Sequence, residues 1–330
     1  MYYSDKSAQL RRIFGEDIQL AETSLQVGDT IYPIIDDVII TLNTDQYPNY
    51  IKAKLSPQFR ESKESTDYAS DIQHTFGEEW KLYSDILPEH QKEFNEYFDV
   101  VDAECYEGKM ICDLGCGIGR WAHFLQDSAK DLVLIDFSEA IFVARRNLTH
   151  SKNSIFIMAD IQRLPMQPNF CDFMYCLGVL HHLPSPALKE TRLLSKYAPN
   201  ILVYLYYALD NRPFYFRFLL VVVSVIRRTV SRIRTKWLRS VLTEVLLWFF
   251  YIPLIAVGHI LSFLHLGKFV PLYEGYKNKG LTRLRQDVYD RFFTRIEQRV
   301  TRKQITELAD TYSKVVISDG LPYWHFLCQR

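Results

Sequence analysis

From residue 110 onward, short apolar runs alternate with amphipathic stretches. MICDL (110–114) is followed at once by GCGIG and then RWAHFLQDSA. This pattern predicts a strand, a tight turn and a helix. LVLIDF predicts a second strand ending in an acid, SEAIFVARRNLT a helix, and SIFIMAD a third strand that again ends in an acid. FCDFMYC predicts a fourth strand, PALKETRLLSKYA a helix and ILVYLYY a fifth strand. Strands and helices alternating at this spacing specify an α/β fold: a mostly parallel sheet with helices on both faces. Ligands of such sheets sit outside the carboxyl ends of the strands. Farther on, TRKQITELADTY predicts a helix capped by Thr301, and KVVISD and YWHFLCQ predict an antiparallel hairpin at the sheet edge.

The flanking segments read differently. IYPIIDDVIITL (31–42) predicts one or two strands around a turn at Asp36 and Asp37, and the more polar residues 56–107 predict helices and loops, with HQKEFNEYF helical after Pro88. Residues 208–300 break the alternation. FLLVVVSVI (218–226) is continuously apolar, and Arg227, Arg228, Arg232, Arg234, Lys236 and Arg239 follow it. Residues 245–267 then hold no Asp, Glu, Lys or Arg, although Pro253, Gly258 and His259 interrupt them and Trp248, Phe249, Phe250 and Tyr251 cluster near one end. A bilayer span needs roughly 20 residues. A single span here would leave the last strands across the membrane from the first five, splitting one sheet. Two readings remain: a helical cap buried against the core, or a hairpin at a membrane surface whose arginine-rich link meets anionic headgroups.

With 48% hydrophobic and 24% charged residues among 330, the chain has ample material for a core, which excludes intrinsic disorder. Lys plus Arg number 39, as do Asp plus Glu, so no general electrostatic grip on nucleic acid is expected. The six cysteines form no CxxC pair and fit a reducing compartment better than a disulfide framework. The polar opening MYYSDKSAQLRRIFGED carries no signal-like apolar run, so a cytoplasmic location is expected.

The glycines of Asp113-Leu-Gly115-Cys116-Gly117-Ile-Gly119 allow a tight turn and close backbone approach to a ligand. Dinucleotide-binding oxidoreductases share such a turn. An acid before the first glycine suits a ligand with an amino group. Asp136, 17 residues after Gly119, can take ribose hydroxyls, and Asp160, ending the third strand, can address an adenine edge. Each acid alone is equally well a helix cap or a solvated loop residue; three in phase at strand ends point to one ligand.

On ICDLGCGIGRWA, LVLIDFSEA, MADIQRLPM and YCLGVLHHLPSP, the chain resembles class I S-adenosylmethionine-dependent methyltransferases of the type 11/12 group. The resemblance implies a three-layer Rossmann-like sheet of order 3-2-1-4-5-7-6, strand 7 antiparallel, with a mainly helical insertion after strand 5. It divides the chain into a small strand region (1–55), a helical lid over the cofactor (56–107), the cofactor-binding core (108–207), a helical apolar cap (208–300) and the last helix and hairpin (301–330). YPIIDDVI and the stretch ending FGEEW look like a leader with YPI and FGxEW signatures. Relatives often carry zinc-binding cysteine pairs there; none is present, so no metal is expected.

The resemblance places S-adenosylmethionine against Asp113, Gly115, Cys116, Gly117 and Gly119 at the methionine and ribose portion. It puts Asp136 at the ribose, Phe137 and Ser138 beside the adenosine, Asp160 and Ile161 at the adenine, Cys176 and Leu177 near the methionine, and Phe76 and Trp80 in the lid. Phe76 and Trp80, four apart, equally suit a helix packed on the core. The acceptor side falls to His181, His182, Tyr206, Tyr207 and Arg291. Methyl transfer is a displacement that needs alignment and exclusion of water; a base is required only when the acceptor must lose a proton, and His181 or His182 is then the candidate. The apolar cap points to a small-molecule or lipid-linked acceptor, methylated on oxygen or carbon ahead of nitrogen. It also points to peripheral contact with the inner membrane surface through 216–266, without a nucleic-acid partner. The alternatives are a nucleic-acid methyltransferase and a non-catalytic cofactor-binding membrane adaptor.

Overall fold

In the computed structural model, which describes residues 1–55, 73, 84–233 and 235–330, eleven strands form one hydrogen-bonded sheet. In chain order these are β1 (Ile18–Leu20), β2 (Ser24–Val27), β3 (Thr30–Ile35), β4 (Val38–Ile40), β5 (Met110–Leu114), β6 (Asp131–Asp136), β7 (Ser154–Met158), β8 (Phe173–Leu177), β9 (Asn200–Tyr204), β10 (Lys314–Ile317) and β11 (His325–Gln329). Across the sheet they run β1-β2-β3-β4-β7-β6-β5-β8-β9-β11-β10. Strands β5 to β9 are parallel, and β11 runs antiparallel to both β9 and β10.

Every residue of β5, β6, β7 and β8 is buried, as unbroken apolar runs require when both sheet faces are covered. The period of two still operates. Met110, Cys112, Val133, Ile135, Ile155 and Ile157 join one core, whereas Ile111, Leu132, Leu134, Phe156 and Met158 join the other. Thr301 caps its helix as its sequence position suggests: its Oγ accepts from Gln304 N at 3.2 Å, and Gln304 Oε1 accepts from Thr301 N at 2.9 Å.

The N-terminal strands are not a free-standing hairpin. Asp36 and Asp37, with φ of 46° and 64°, make the turn between β3 and β4, and β4 then pairs in parallel with β7, extending the main sheet. Tyr3 pins this seam: its hydroxyl donates to Asp37 O at 2.6 Å and accepts from Phe156 N at 3.2 Å. Sequence alone carries no sign of this edge pairing, because Val38–Ile40 reads equally as half of an isolated hairpin.

The insertion after β9 comprises helices Phe214–Val230, Lys236–Leu246, Ile252–Ser262, Tyr273–Tyr276 and Leu281–Phe293, with a π turn over Leu247–Tyr251 just before Pro253. Leu247, Tyr251, Tyr276, Leu284, Val288 and Phe293 belong to its own core. A four-residue ionic cluster ties it to helix His90–Tyr97. Glu93 lies 3.0 Å from both Arg283 and Lys279, and Lys279 is 3.2 Å from Asp287, which also pairs with Arg283. Burial opposes the Glu93 charge, but Arg283 and Lys279 hold its carboxyl well below the usual range.

The apolar runs of the insertion largely face outward. Within Lys236–Ser262, long and apolar enough to cross a membrane by length and composition, only 17% of the most apolar window is buried. Phe218, Val225, Phe249, Ile260 and Phe263 are exposed, so a cap that hides its apolar surface against the core is not what the chain builds. Nor do all six basic residues form a surface patch. Arg227 is buried and donates to Thr294 O at 2.9 Å, while Arg239 is buried and donates to Ile233 O at 2.6 Å. Arg228, Arg232 and Lys236 are exposed.

Tyr3→Phe removes the hydroxyl that joins the β3–β4 turn to β7. It is expected to lower unfolding free energy by about 1–3 kcal/mol, read by urea denaturation.

Candidate functional site

At the carboxyl ends of β5 to β9 lies a cavity of about 720 Å³, within the range of small-molecule sites. One end is formed by the glycine turn and the ends of β6 to β8: Gly115, Cys116, Gly117, Asp136, Phe137, Ser138, Asp160, Ile161 and Leu177 all line it. The other end runs beneath the insertion, past His182, Tyr206, Tyr207 and Arg291, to Leu219, Ile226 and Phe250.

The glycine turn is held by its neighbours. Gly115 and Cys116 donate to Ile135 O at 2.7 and 3.0 Å, and Gly117 N donates to Asp136 Oδ2 at 2.8 Å. Gly115 has a φ of +81°, and a Cβ there would stand 2.4 Å from a Val179 methyl, so only glycine fits. The other Asp136 oxygen accepts from Ser138 N at 2.8 Å and Ser138 Oγ at 2.7 Å. Burial raises the Asp136 pKa, against the pull of these bonds.

Asp113 has no such satisfaction. It is 2% exposed, its Oδ2 lacks a hydrogen-bond partner, and burial pushes its pKa up to about 8, the Tyr175 phenol acting in the opposite direction. Asp113 sits under the turn rather than on the cavity wall. Asp160 reaches the wall and caps the turn after β7. Its Oδ1 accepts from Gln162 N at 3.0 Å and its Oδ2 from Gln46 Nε2 at 2.9 Å.

Several expected site residues stand elsewhere. Gly119 does not line the cavity; a Cβ there would meet Ala144 and Leu148 at 3.2 Å, so it serves the packing of helix Ala140–Asn147. Cys176 is fully buried in β8, its thiol pKa raised by burial, and it too is off the wall. Phe76 and Trp80 lie outside the described residues.

His181 is a correction to the acceptor-side expectation. Its ring is completely buried, stacks on Tyr206 with centroids 4.0 Å apart, and neither nitrogen has a hydrogen-bond partner. Burial, then the charges of His182, Arg299 and Arg227, hold its pKa far below the ordinary value, so it is a neutral packing group. His182 lines the cavity, and its Nδ1 donates to Ile296 O at 2.7 Å. A carbonyl only accepts, so Nδ1 carries a hydrogen. Tyr206 donates to Asp290 Oδ2 at 3.1 Å, and burial raises its pKa well above the usual phenol. It is therefore a positioned phenol rather than a base. The Tyr207 carbonyl accepts from Arg299 Nη1 at 3.0 Å.

The sequence reading missed Gln46, Glu93, Arg120 and Arg283 on or beside the cavity. Arg120 follows the glycine turn directly, which could have flagged it; the others come from distant segments that only tertiary pairing brings in.

Residues 111–196 match a family described as a methyltransferase domain. The chain is 32% identical over 88 residues to a phosphoethanolamine N-methyltransferase of Triticum aestivum, covering 26% of this chain and 17% of that protein. It is 33% identical over 91 residues to a tRNA U34 carboxymethyltransferase of Campylobacter hominis, covering 26% of this chain and 32% of that protein. A ubiquinone biosynthesis O-methyltransferase of Photobacterium profundum is 28% identical over 125 residues, 37% of this chain and 53% of that protein. The chain thus spans less than two thirds of each relative. The matched segment supplies the glycine turn, all three strand-end acids and His182.

Gly119→Ala is expected to cost about 1–3 kcal/mol of stability in urea unfolding, from strained backbone and overpacking. Ligand affinity of the folded fraction should stay unchanged in calorimetric titration; a large affinity loss would return Gly119 to the binding surface.

Proposed function

We propose that this chain is an S-adenosylmethionine-dependent methyltransferase acting on an apolar, lipid-like acceptor that reaches the cavity from a membrane surface. The domain match and the glycine turn with its three acids support the donor. The observation that carries the acceptor is the cavity mouth: Leu219, Val222, Ile226 and Phe250 line the cavity and are also 41% to 56% exposed, so it opens onto the outward apolar face. Apolar patches of that extent mark interaction surfaces. Because β9 and β11 pair residue by residue on either side of the insertion, Lys236–Ser262 lies along or dips into one leaflet rather than crossing it.

S-adenosylmethionine supplies, when bound, a methyl group on a positively charged sulfur. The Asp113 carboxyl, whose Oδ2 has no hydrogen-bond partner, would take the amino-acid ammonium directly or through a water, since a buried acid gains from a cation. The turn from Gly115 to Gly117 offers backbone to the methionine and ribose portion. Asp136 fixes that turn and would hold the ribose, and Asp160, held by Gln46, would meet the adenine together with Ile161. On the acceptor side, His182 takes a proton where the acceptor carries one, and Tyr206 orients it. The apolar walls exclude water, which keeps the methyl group for the acceptor.

With its pKa raised to about 8, the free Asp113 is mostly protonated below that pH, so binding of the ammonium releases the proton and tightens as pH rises toward 8. Titration with S-adenosylhomocysteine in buffers of different ionisation enthalpy should show this release, with affinity rising up to about tenfold per pH unit between 6 and 7.5. Asp113→Asn should flatten the pH slope and weaken binding; equal affinity in variant and parent at all pH values would reject the site. For the membrane contact, vesicles containing anionic lipid should sediment the protein, and Phe249→Glu with Phe263→Glu should abolish this while leaving S-adenosylhomocysteine affinity intact. Retained sedimentation of that variant would remove the apolar face from the reading.

A further inference from the structure

The acceptor end of the cavity holds a cation, Arg291, with which no carboxylate among the described residues forms an ion pair. Arg227, Arg291 and Arg299 converge there with two carboxylates, Glu297 and Asp290. Glu297 is taken by Arg227 at 3.2 Å and Arg299 at 2.7 Å. Asp290 accepts from the Tyr206 hydroxyl and, at 3.1 Å, from Thr294 Oγ. The Arg291 guanidinium stands 5.9 Å from the ring centres of both Tyr206 and Tyr276, and its buried Nε has no hydrogen-bond partner. Arg291 nonetheless lines the cavity, at the end where the acceptor would lie. Buried charges are ordinarily paired, and a guanidinium is shaped to grip a phosphate or carboxylate through two parallel bonds.

Resting on the reading of this cavity end as the acceptor chamber, we propose that Arg291 anchors an anionic group, phosphate or carboxylate, carried by the methyl acceptor. The acceptor is then an anionic amphiphile. Its charged end meets Arg291, and its apolar part leaves between Leu219, Val222, Ile226 and Phe250 toward the exposed apolar face. The ring π faces around Arg291 hold the cation in place while empty but offer no counter-charge, which the ligand supplies.

The test uses the full chain and amphiphiles of one tail length, below their micelle concentrations: dodecyl phosphate, dodecanoate and neutral dodecyl maltoside, with binding followed by calorimetry. At least one anionic headgroup should bind about tenfold or more tightly than the maltoside, and which one does so separates phosphate from carboxylate recognition. Arg291→Gln should erase this preference while S-adenosylhomocysteine affinity stays within twofold. Arg291→Met, which keeps the stem packed among the tyrosines, serves if the first variant does not fold. Equal binding of all three headgroups by the parent overturns the anchor without need of a variant, as does an anion preference that survives in either folded variant. Loss of S-adenosylhomocysteine binding in the parent would sink the donor reading instead, leaving the headgroup series to be judged separately.

Discussion

The pairing of β11 with β9 constrains everything beyond the fifth parallel strand. Tyr204 faces His325 and Asn200 faces Gln329 in one antiparallel ladder, so all the chain between must leave the sheet and return to the same edge. The insertion lies over the end of the sheet from which it departs, which is the carboxyl end of β9, where the glycine turn and the strand-end acids also stand, and the cavity lies between them. The cluster of Glu93, Lys279, Arg283 and Asp287 adds a fixing point from helix His90–Tyr97. A buried cluster of this kind contributes less to stability than to the uniqueness of the arrangement, since each charge excludes poses that leave it unpaired.

Each end of the cavity leaves one polar group incompletely satisfied. At the glycine turn, Asp136 and Asp160 are satisfied by backbone and amide donors, while Asp113, beneath the turn, keeps its Oδ2 outside any hydrogen bond. Under the insertion, Arg291 has no ion pair with a described carboxylate, Glu297 being shared by two other arginines. In water either shortfall would be trivial. Inside the protein an unpartnered charge is expensive enough that a folded chain keeps one chiefly where a ligand completes it. The same reasoning separates His181 from His182. Adjacent in sequence, they differ in that one ring is sealed behind Tyr206 while the other is oriented by the Ile296 carbonyl and open to the cavity.

Much of this was legible in the chain. MICDL, LVLID and SIFIM declare themselves as buried strands because both faces of a parallel sheet must be apolar, and the acids break those runs at the point where the strands end. Chemistry tied to local sequence, such as the Thr301–Gln304 cap, was equally readable. What escaped depends on contacts between remote segments. Val38–Ile40 carries no mark that it will pair with β7, Gln46 none that it will donate to Asp160, and Arg227 and Arg239 look the same in sequence as the exposed Arg228. Gly119 shows the limit from the other side. A glycine spaced for a phosphate-like turn is also a glycine spaced for close helix packing, and only the positions of Ala144 and Leu148 decide between them.

The outward apolar surface of the insertion follows a physical logic of its own. Phe263 is 87% exposed, and neighbours such as Phe249 and Ile260 share its outlook, although the same helices bury Leu247, Tyr251 and Ile255 on their inner side. A chain able to sort residues that well could have placed polar side chains outside at little cost to its core. Leaving large apolar groups in water forgoes roughly 1.5–3 kcal/mol for each side chain relative to its burial. That expense is recovered only if something apolar covers the face. The cavity mouth lies within this same face, so whatever covers it also adjoins the entrance. On the proposed reading, an amphiphile passes from that apolar cover into the cavity without its tail crossing water, and its charged end meets the Arg291 guanidinium. The exposed face and that arginine are then two halves of one recognition problem, the first selecting for the tail and the second for the head.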